Sequence, residues 1–198
     1  METIRGRTSH ILDLTELRAR LADYNRITMD LGTGDGKFAF HHAQAFPHHF
    51  VIGVDSCREN LREHSRAKLP NLLFLIASAQ SLPHELSGLV SHITINFPWG
   101  SLLESLLTSD SRLLCGLESA LGGAGRLEVR LNGGALAEAG WGLEDGAERV
   151  RFSLESAGWQ ISSSAMMDSR SLKNFPSTWA NRLAFGRDPR AILLQGCL

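Results

Sequence analysis

Apolar and polar residues alternate along the chain in a pattern that predicts strands and helices in turn. Short apolar, β-prone runs are separated by segments in which apolar residues recur at helical spacing. Strands are predicted at about residues 27–31, 51–55, 72–76, 93–96, 126–131, 159–161 and 191–194. Helices are predicted at about residues 16–22, 37–46, 57–67, 101–107, 110–121 and 147–157. Strands that alternate with helices in this way indicate an α/β fold with a mostly parallel sheet.

The length of the chain is consistent with one such domain. At 198 residues it can bury a substantial core without disulfide or metal support. We predict a single domain over residues 1–198 with a short N-terminal extension at about residues 1–14. No core is evident in this extension, so it is expected to cover the cofactor or to touch a substrate surface, with Arg5 and Arg7 as its basic residues, or else to be a solvated tail.

The glycine-rich stretch after the first predicted strand is the most informative motif. It reads Thr-Met-Asp-Leu-Gly-Thr-Gly-Asp-Gly over residues 28–36 and continues directly into a helical pattern. A strand, loop and helix of this kind lie at the carboxyl end of the first strand of a doubly wound sheet, where small backbones let a ligand approach. The helix N-terminus favours polar or anionic groups. The motif therefore predicts a nucleotide-type binding crevice.

The spacing of the glycines argues against NAD as the ligand. Gly32, Gly34 and Gly36 form G-x-G-x-G, whereas the dinucleotide fingerprint G-x-G-x-x-G requires a third glycine where Lys37 stands. The alternative to any ligand is that this loop is only a tight turn.

Two acidic residues beside the loop favour S-adenosylmethionine (SAM). Asp30 precedes the glycines and Asp55 closes the second predicted strand, which is the pattern of a class I SAM methyltransferase. A carboxylate has two acceptor oxygens, so Asp55 is expected to accept both ribose hydroxyls. Asp30 is expected to face the methionine ammonium, directly or through water. The predicted fold is thus Rossmann-like, with a seven-stranded, mostly parallel sheet whose last strand is antiparallel.

Two later loops extend the predicted site. The turn after the third predicted strand encloses the adenine ring in methyltransferases of this class, so Ala79 and Gln80 are candidate cofactor contacts, with a plain turn as the alternative. The fourth predicted strand runs into Asn-Phe-Pro-Trp-Gly at residues 96–100. Pro98 stiffens this loop, and Trp99 offers a flat surface on which a substrate would dock.

The charge distribution points to a focused nucleic-acid contact. A formal net charge of −1 argues against a protein that coats nucleic acid non-specifically. Residues 168–190 nevertheless contain five basic residues against two acidic ones, and they include a second tryptophan, Trp179, with arginines at its helical neighbours. Two tryptophans and a basic patch around a SAM pocket suggest that the substrate is a flipped base.

Other features narrow the class of protein further. The first ten residues are polar and charged and no apolar run approaches membrane-spanning length, so neither a signal peptide nor a membrane span is expected. Three cysteines without a C-x-x-C motif indicate a reducing, cytoplasmic environment. The histidine doublets at residues 41–42 and 48–49 lack further ligands at metal-binding spacing, so no metal site is predicted.

Three motifs together resemble the Kam family of aminoglycoside-resistance 16S rRNA methyltransferases, which modify adenine N1 in the decoding site of the 30S subunit. They are Asp-Leu-Gly-Thr-Gly-Asp-Gly at residues 30–36, Phe-Pro-Trp-Gly at residues 97–100 and Trp-Ala-Asn-Arg-Leu-Ala-Phe-Gly-Arg at residues 179–187. The resemblance spans nearly the whole chain. It implies a cytoplasmic, SAM-dependent enzyme, which we expect to be a monomer.

The resemblance also implies roles for individual residues. Trp99 and Trp179 would sandwich the target adenine between their indole rings. Ser101 and Ser177 would line the cofactor and substrate pocket. Arg182 and Arg187 would hold rRNA phosphates near the flipped nucleotide. This chain has Pro189 where a relative has an arginine that braces that nucleotide, and Arg190 is expected to substitute for it.

The implied reaction needs few chemical groups from the protein. Adenine N1 is largely unprotonated at neutral pH and has a free lone pair, so its attack on a sulfonium methyl requires no general base. Orientation by stacking is expected to supply the catalysis. Because the reaction moves positive charge onto the base, the indole faces would also stabilise the product cation.

Alternative functions remain at this stage. The sequence Asn96-Phe-Pro-Trp99 also matches the N-x-P-aromatic pattern of N6-adenine and other amino-group methyltransferases, in which the asparagine accepts a hydrogen bond from an exocyclic amine. A resemblance to tRNA guanine methyltransferases is weaker. From a different class, the protein could be a non-catalytic SAM-binding ribosome-assembly factor.

Overall fold

A computed structural model describes residues 1–185 and 188–198 of the chain. Its strands are β1 (Glu2–Arg5), β2 (Thr8–Ile11), β3 (Arg26–Leu31), β4 (His49–Asp55), β5 (Leu72–Ile76), β6 (His92–Asn96), β7 (Arg126–Asn132), β8 (Gln160–Met167) and β9 (Ala191–Cys197). Its α-helices are α1 (Leu14–Leu21), α2 (Lys37–Ala45), α3 (Arg58–Leu61), α4 (Gly100–Thr108), α5 (Ser111–Leu121), α6 (Gly133–Glu138), α7 (Leu143–Ser156), α8 (Ser169–Asn174) and α9 (Thr178–Ala184). Every predicted strand is thereby recovered, with shifted ends.

All the strands in the described residues form one sheet, in the order β2-β1-β5-β4-β3-β6-β7-β9-β8. Strands β3 to β7 pair in parallel, whereas β9 runs antiparallel to both β7 and β8. This confirms the predicted α/β fold, with its mostly parallel sheet and antiparallel last strand. The predicted number of seven strands is wrong, because an N-terminal hairpin adds two more.

This hairpin corrects the expectation that the N-terminal extension has no core. Strand β1 pairs with the sheet edge through Thr3 and Leu75. Ile4 is 4% exposed and belongs to an apolar cluster with Val51 and Phe74. Periodicity could not reveal this, because β1 and β2 have only four residues each and their apolar positions are few.

The long helix predicted at residues 57–67 is also wrong. In the structure α3 ends at Leu61, and only a short 3₁₀ turn follows at His64–Arg66. Contacts with the hairpin hold this segment in its irregular form: the Arg58 guanidinium bonds to Glu2, and the Ser65 hydroxyl accepts the amide N–H of Gly6 at 2.9 Å. Tertiary contacts here override the helical spacing of the charges.

The apolar strands lie at the centre of a two-sided core. Met29, Ile52 and Ile93 are fully buried, as expected for parallel strands covered on both faces. A large cluster joins them to α1, α4, α5 and α7, and a smaller one packs β4 and β5 against α2 and α3. The carboxyl ends of β3 to β7 therefore meet at one edge of the sheet, where doubly wound folds bind ligands. None of the helices in the described residues combines the length and apolar character needed to cross a bilayer.

The buried hairpin leads to a stability prediction. Replacing Ile4 by Ala should lower the free energy of unfolding by about 2–5 kcal/mol, because a cavity would open between the hairpin and the sheet. Ile11→Ala is the matched control: Ile11 lies in the same hairpin but is 78% exposed, so its change should stay within about 0.5 kcal/mol. Urea denaturation measures both. Equal effects of the two substitutions would show that the hairpin does not pack on the core.

Candidate active site

Two glycines of the loop between β3 and α2 lie in close contacts that leave no room for a side chain. The Gly32 amide donates to the Val54 carbonyl at 2.8 Å, which fixes the loop to the end of β4. Gly32 has a φ of 71°, and a Cβ there would lie 2.6 Å from a methyl of Leu102. Gly36 has a φ of 78°, and its Cβ would lie 2.5 Å from the Phe74 ring. Both positions thus require glycine.

Asp30 lies beneath this loop as a buried anchor. Its carboxylate is 1% exposed and accepts hydrogen bonds from the Thr33 hydroxyl, from the Thr94 hydroxyl at 2.9 Å and from the Asn96 amide at 2.8 Å. Burial raises the pKa of Asp30 above its usual value, and the three hydrogen bonds and the positive charge of Arg130 oppose that shift. The carboxylate therefore ties the loop to β6.

Asp55 lies at the end of β4 and has capacity for a ligand. One oxygen accepts the Gly34 amide at 2.9 Å and the other accepts the Cys57 amide at 2.8 Å. Burial raises its pKa, and these backbone hydrogen bonds work in the opposite direction. A carboxylate offers about four lone-pair sites, so each oxygen can accept one further hydrogen bond. The arrangement suits a ligand with two adjacent hydroxyls.

A cavity of about 450 Å³ opens at this edge of the sheet. It is bounded by the glycine loop, the end of β4, the turn after β5 and the loop after β6. The predicted site residues that line it are Gly32, Gly34, Asp55, Ala79, Gln80, Trp99, Ser101 and Trp179. The lining thus combines a carboxylate with two indole rings.

Gln80 holds the wall of the cavity in place. Its amide nitrogen donates to the Ser105 hydroxyl at 2.8 Å and to the Ser101 carbonyl at 3.1 Å, and its oxygen accepts from the Ser78 hydroxyl at 2.6 Å. The side chain thus fastens the turn after β5 to helix α4. Neighbouring Ala79 is small, so the backbone of the turn can face a planar ring.

Trp99 is aimed by an unusual backbone conformation at Phe97. Phe97 has a φ of 55°, a left-handed conformation that costs a residue of this type about 1–3 kcal/mol. The side chain is 4% exposed and packs in an apolar cluster with Ala180 and Ala184 of α9, Leu172 of α8 and Ala191 of β9. The packing compensates for the strain. It also joins the loop that carries Trp99 to the helix that carries Trp179.

The two tryptophans meet at the mouth of the cavity. Their ring centroids are 5.6 Å apart and the planes differ by 23°, which is a stacked arrangement. Trp99 is 42% exposed and Trp179 is 43% exposed, although 80 residues separate them in the chain. Large aromatic side chains are normally more deeply buried, so an exposed pair of this kind suits a planar ligand.

The segment before α9 is braced by an arginine that the sequence analysis did not select. Arg130 donates to the Asn96 side-chain oxygen at 3.0 Å, and its guanidinium lies 4.8 Å from the centroid of the Phe175 ring. Phe175 also stacks on Phe38 of α2, with centroids 5.1 Å apart. Residues 126–131 alternate charged and apolar side chains, with Arg126 and Glu128 beside Arg130, so no signal in the sequence singled out this arginine.

Several predicted residues lie away from the cavity lining. Ser177 immediately precedes α9 and is not among the lining residues. Arg182 is exposed on α9, with its guanidinium 5.2 Å from the centroid of the Trp179 ring. Nε of Arg190 lies 2.8 Å from a carboxylate oxygen of Asp188, and Nη1 lies 3.5 Å from a carboxylate oxygen of Glu144. Two carboxylates therefore offset the charge of Arg190.

The remaining basic candidates lie elsewhere. Arg5 and Arg7 are exposed at the tip of the N-terminal hairpin, at the opposite end of the sheet order from β8 and β9. Arg5 lines a groove together with Arg20 and Lys68. Arg187 lies outside the described residues. Within residues 1–185 and 188–198, no group of three or more His, Cys, Asp or Glu side chains could hold a metal ion.

Comparisons with known proteins agree with the fold and the motifs. A family model described as NpmA, 16S rRNA (adenine(1408)-N(1))-methyltransferase, matches residues 2–198. A 16S rRNA (adenine(1408)-N(1))-methyltransferase of Escherichia coli is 30% identical over 208 residues, covering 94% of each chain. These matches confirm the predicted type of enzyme and, with it, SAM as the cofactor of the family.

Solved structures give the same result. The 16S rRNA methyltransferase KamB superimposes with a TM-score of 0.90 at 27% identity, covering 100% of this chain and 99% of its own. The aminoglycoside resistance methyltransferase NpmB1 gives a TM-score of 0.81 at 30% identity, covering 99% and 98%. The predicted resemblance is thereby confirmed. The chain belongs to the 16S rRNA (adenine(1408)-N(1))-methyltransferase family.

Proposed function

We propose that this protein transfers a methyl group from SAM to N1 of adenine 1408 in 16S rRNA of the 30S subunit, and that it thereby confers aminoglycoside resistance. The observation that carries the proposal is the exposed pair of indole rings, 5.6 Å apart, at the mouth of the cavity beside Asp55. The site of action would be the cytoplasm, where 30S subunits occur, and we expect a monomer.

The residues of the cavity fit the proposed cofactor. Asp55 would accept the ribose hydroxyls with its free lone pairs, and the turn at Ala79 and Gln80 would enclose the adenine ring. Because Gly32 and Gly34 have no side chains, the cofactor could approach the backbone of the loop closely. Asp30 is too deeply buried to contact the cofactor directly. We propose that it acts through Asn96, which lines the cavity and whose amide nitrogen donates to the Asp30 carboxylate at 2.8 Å. Bound there, SAM would supply a methyl group on a positively charged sulfur.

The indole rings must separate to admit a base. Bases in a stacked strand are about 3.4 Å apart, so a base between two rings needs a separation of roughly 7 Å. The rings here are 5.6 Å apart, and an opening of somewhat more than 1 Å would therefore be required. Loss of the direct stack would be offset by two new stacking contacts with the base, each of about 1–3 kcal/mol.

Within residues 1–185 and 188–198, the carboxylates nearest the cavity are held by the protein rather than placed as a general base, which is compatible with N1 as the acceptor. Both oxygens of Asp30 and of Asp55 are already engaged by hydrogen-bond donors of the protein. Adenine N1 has its lone pair available at neutral pH, so no proton has to be removed before transfer. The protein would accelerate the reaction by fixing the base, and the indole faces would stabilise the charge that appears on it.

The contacts of Asn96 argue against the N6-adenine alternative. Its amide nitrogen donates to Asp30 and its oxygen accepts from Arg130 at 3.0 Å. An asparagine that recognises an exocyclic amine needs this oxygen directed at the substrate. Because Asn96→Ala would also disturb Asp30, identification of the methylated nucleoside separates N1 from N6 more cleanly than this substitution.

Two separate groups of basic residues would hold the rRNA. Arg182 is exposed beside Trp179, and the tip of the hairpin presents Arg5 and Arg7. The groove lined by Arg5, Arg20 and Lys68 belongs to the second group, at the hairpin. We retain Ser177, Arg187 and Arg190 as proposed contacts, with the carboxylates near Arg190 reducing its expected contribution.

Primer extension on treated 30S subunits tests the proposal directly. Subunits incubated with the wild-type protein and SAM should stop reverse transcriptase at adenine 1408, since N1 methylation blocks the pairing edge. A ribosome-assembly factor would bind SAM in isothermal titration without producing the stop. Nucleoside analysis that finds N6-methyladenine would also overturn the proposal.

The indole clamp predicts the behaviour of two variants. Trp99→Ala and Trp179→Ala should each reduce methyl transfer to 30S subunits by at least about 100-fold, because the base loses one of its two stacking surfaces. The dissociation constant for SAM, measured by isothermal titration, should stay near that of wild type. Trp141→Ala is the control, since Trp141 is exposed to 37% but does not line this cavity. Full activity of either clamp variant would rule out the sandwich.

The stacked rings also predict a spectroscopic signal in the free protein. Two indoles 5.6 Å apart should couple and give a paired positive and negative band in circular dichroism. Trp99→Ala and Trp179→Ala should each abolish this pair of bands, whereas Trp141→Ala should leave it. Persistence of the bands after removal of either clamp tryptophan would mean that the rings do not stack.

These groups of basic residues lead to a prediction about salt dependence. Arg182→Ala should weaken binding to 30S subunits and reduce the slope of log affinity against log salt by about one, as expected for one lost phosphate contact. Arg126→Ala, at the exposed start of β7 and outside both proposed groups of basic residues, provides the same loss of charge elsewhere. Filter binding at several salt concentrations measures both. An unchanged slope for Arg182→Ala would exclude a phosphate contact at that residue.

A further inference from the structure

Helix α9 is linked to the glycine loop by a hydrogen bond between residues far apart in the chain. The Thr178 hydroxyl donates to one carboxylate oxygen of Asp35 at 2.6 Å, across a separation of 143 residues. Thr178 immediately precedes Trp179, and Asp35 stands between Gly34 and Gly36. The bond therefore connects the loop that would hold the cofactor to the helix that carries one half of the indole clamp.

Asp35 serves two elements with its two oxygens. While one accepts from Thr178, the other accepts the Lys37 amide at 3.0 Å in the first turn of α2. Its backbone carbonyl also lies 2.7 Å from Nδ1 of His64. The carboxylate is thus fixed by its own loop before it contacts α9, and a fixed acceptor makes the bond to Thr178 directional.

The other contacts that anchor α9 are apolar, and apolar contacts do not fix the orientation of a helix as a hydrogen bond does. The helix has seven residues, and Ser177 at its N-cap makes no side-chain capping bond. It packs through Ala180 and Ala184, with Leu183 partly buried against the same cluster, and apolar contacts of this kind would let the helix roll on its neighbours. Within residues 1–185 and 188–198, Thr178 makes the one side-chain hydrogen bond that joins α9 to the glycine loop.

We propose that Asp35 and Thr178 are positioning residues that hold Trp179 in register with the cofactor loop. The inference rests on the proposed function, because it assigns these residues a role in the same methyl transfer. Neither side chain lines the cavity, so neither would touch the base or the methyl group. Their effect would be on how often the clamp is correctly placed over the donor, and thus on kcat rather than on SAM affinity.

Matched substitutions at Thr178 separate the effect of the hydroxyl donor from the effect of the branched shape of the side chain. Thr178→Val keeps the branched side chain but removes the donor, whereas Thr178→Ser keeps the donor. For 30S methylation we expect Thr178→Val to lower kcat about tenfold, the size expected for loss of a hydrogen bond to a charged group, while KM for SAM stays within about twofold. Thr178→Ser should retain a kcat within about twofold of wild type.

A measurement on the SAM-free protein provides an independent readout. Hydrogen exchange at the amides of α9, including Asn181, which donates to the Ser177 carbonyl at 3.1 Å, should be faster in Thr178→Val than in wild type or Thr178→Ser. Exchange in β3 and β4 should be equal in all three proteins. The inference would be overturned if the α9 amides exchanged in Thr178→Val at the same rate as in wild type. It would also be overturned if Thr178→Val and Thr178→Ser lost kcat equally.

A double substitution tests whether the two residues act together. Asp35→Ala should lower kcat on its own, and adding Thr178→Val to it should cause no further loss, since the bond is already broken. Additive losses would mean that the residues act separately and would contradict the inference. If wild type fails to methylate 30S subunits, the proposed function fails, whereas the exchange data still decide whether the bond holds α9 in place.

Discussion

The packing of Phe97 against α8 and α9 is the constraint on which the rest of the site depends. Phe97 adopts a left-handed backbone conformation with a φ of 55°, and its buried ring shares an apolar cluster with Ala180 and Ala184. This contact turns the loop after β6 outward and brings Trp99 to within stacking distance of Trp179. Without it, two tryptophans 80 residues apart would have no reason to meet.

The cofactor side of the cavity depends on a second set of contacts that converge on β3. Asp30 joins the glycine loop to β6 through Thr33, Thr94 and Asn96, and Arg130 extends this network to β7. The guanidinium of Arg130 then lies against Phe175, just before α9. Polar contacts from the sheet and apolar contacts from Phe97 therefore support the same helix, so one framework would position both the proposed methyl donor and the proposed target base.

Much of this could be predicted from sequence because the signals are local. The glycine loop, Asp55 and the Phe-Pro-Trp-Gly loop each follow an apolar strand, and a parallel sheet brings the ends of such strands together. The N-terminal hairpin escaped prediction because its strands are short, and the helix at residues 57–67 was wrong because contacts with that hairpin override charge spacing. The bond between Asp35 and Thr178 spans 143 residues and leaves no periodic trace.

The most direct test of the clamp is a structure of the protein bound to a 30S subunit with a non-reactive analogue of SAM. The account predicts that a flipped adenine lies between Trp99 and Trp179, with the ring centroids moved apart from 5.6 Å to roughly 7 Å. Indole rings still stacked on each other, with the adenine held elsewhere in the cavity, would contradict it.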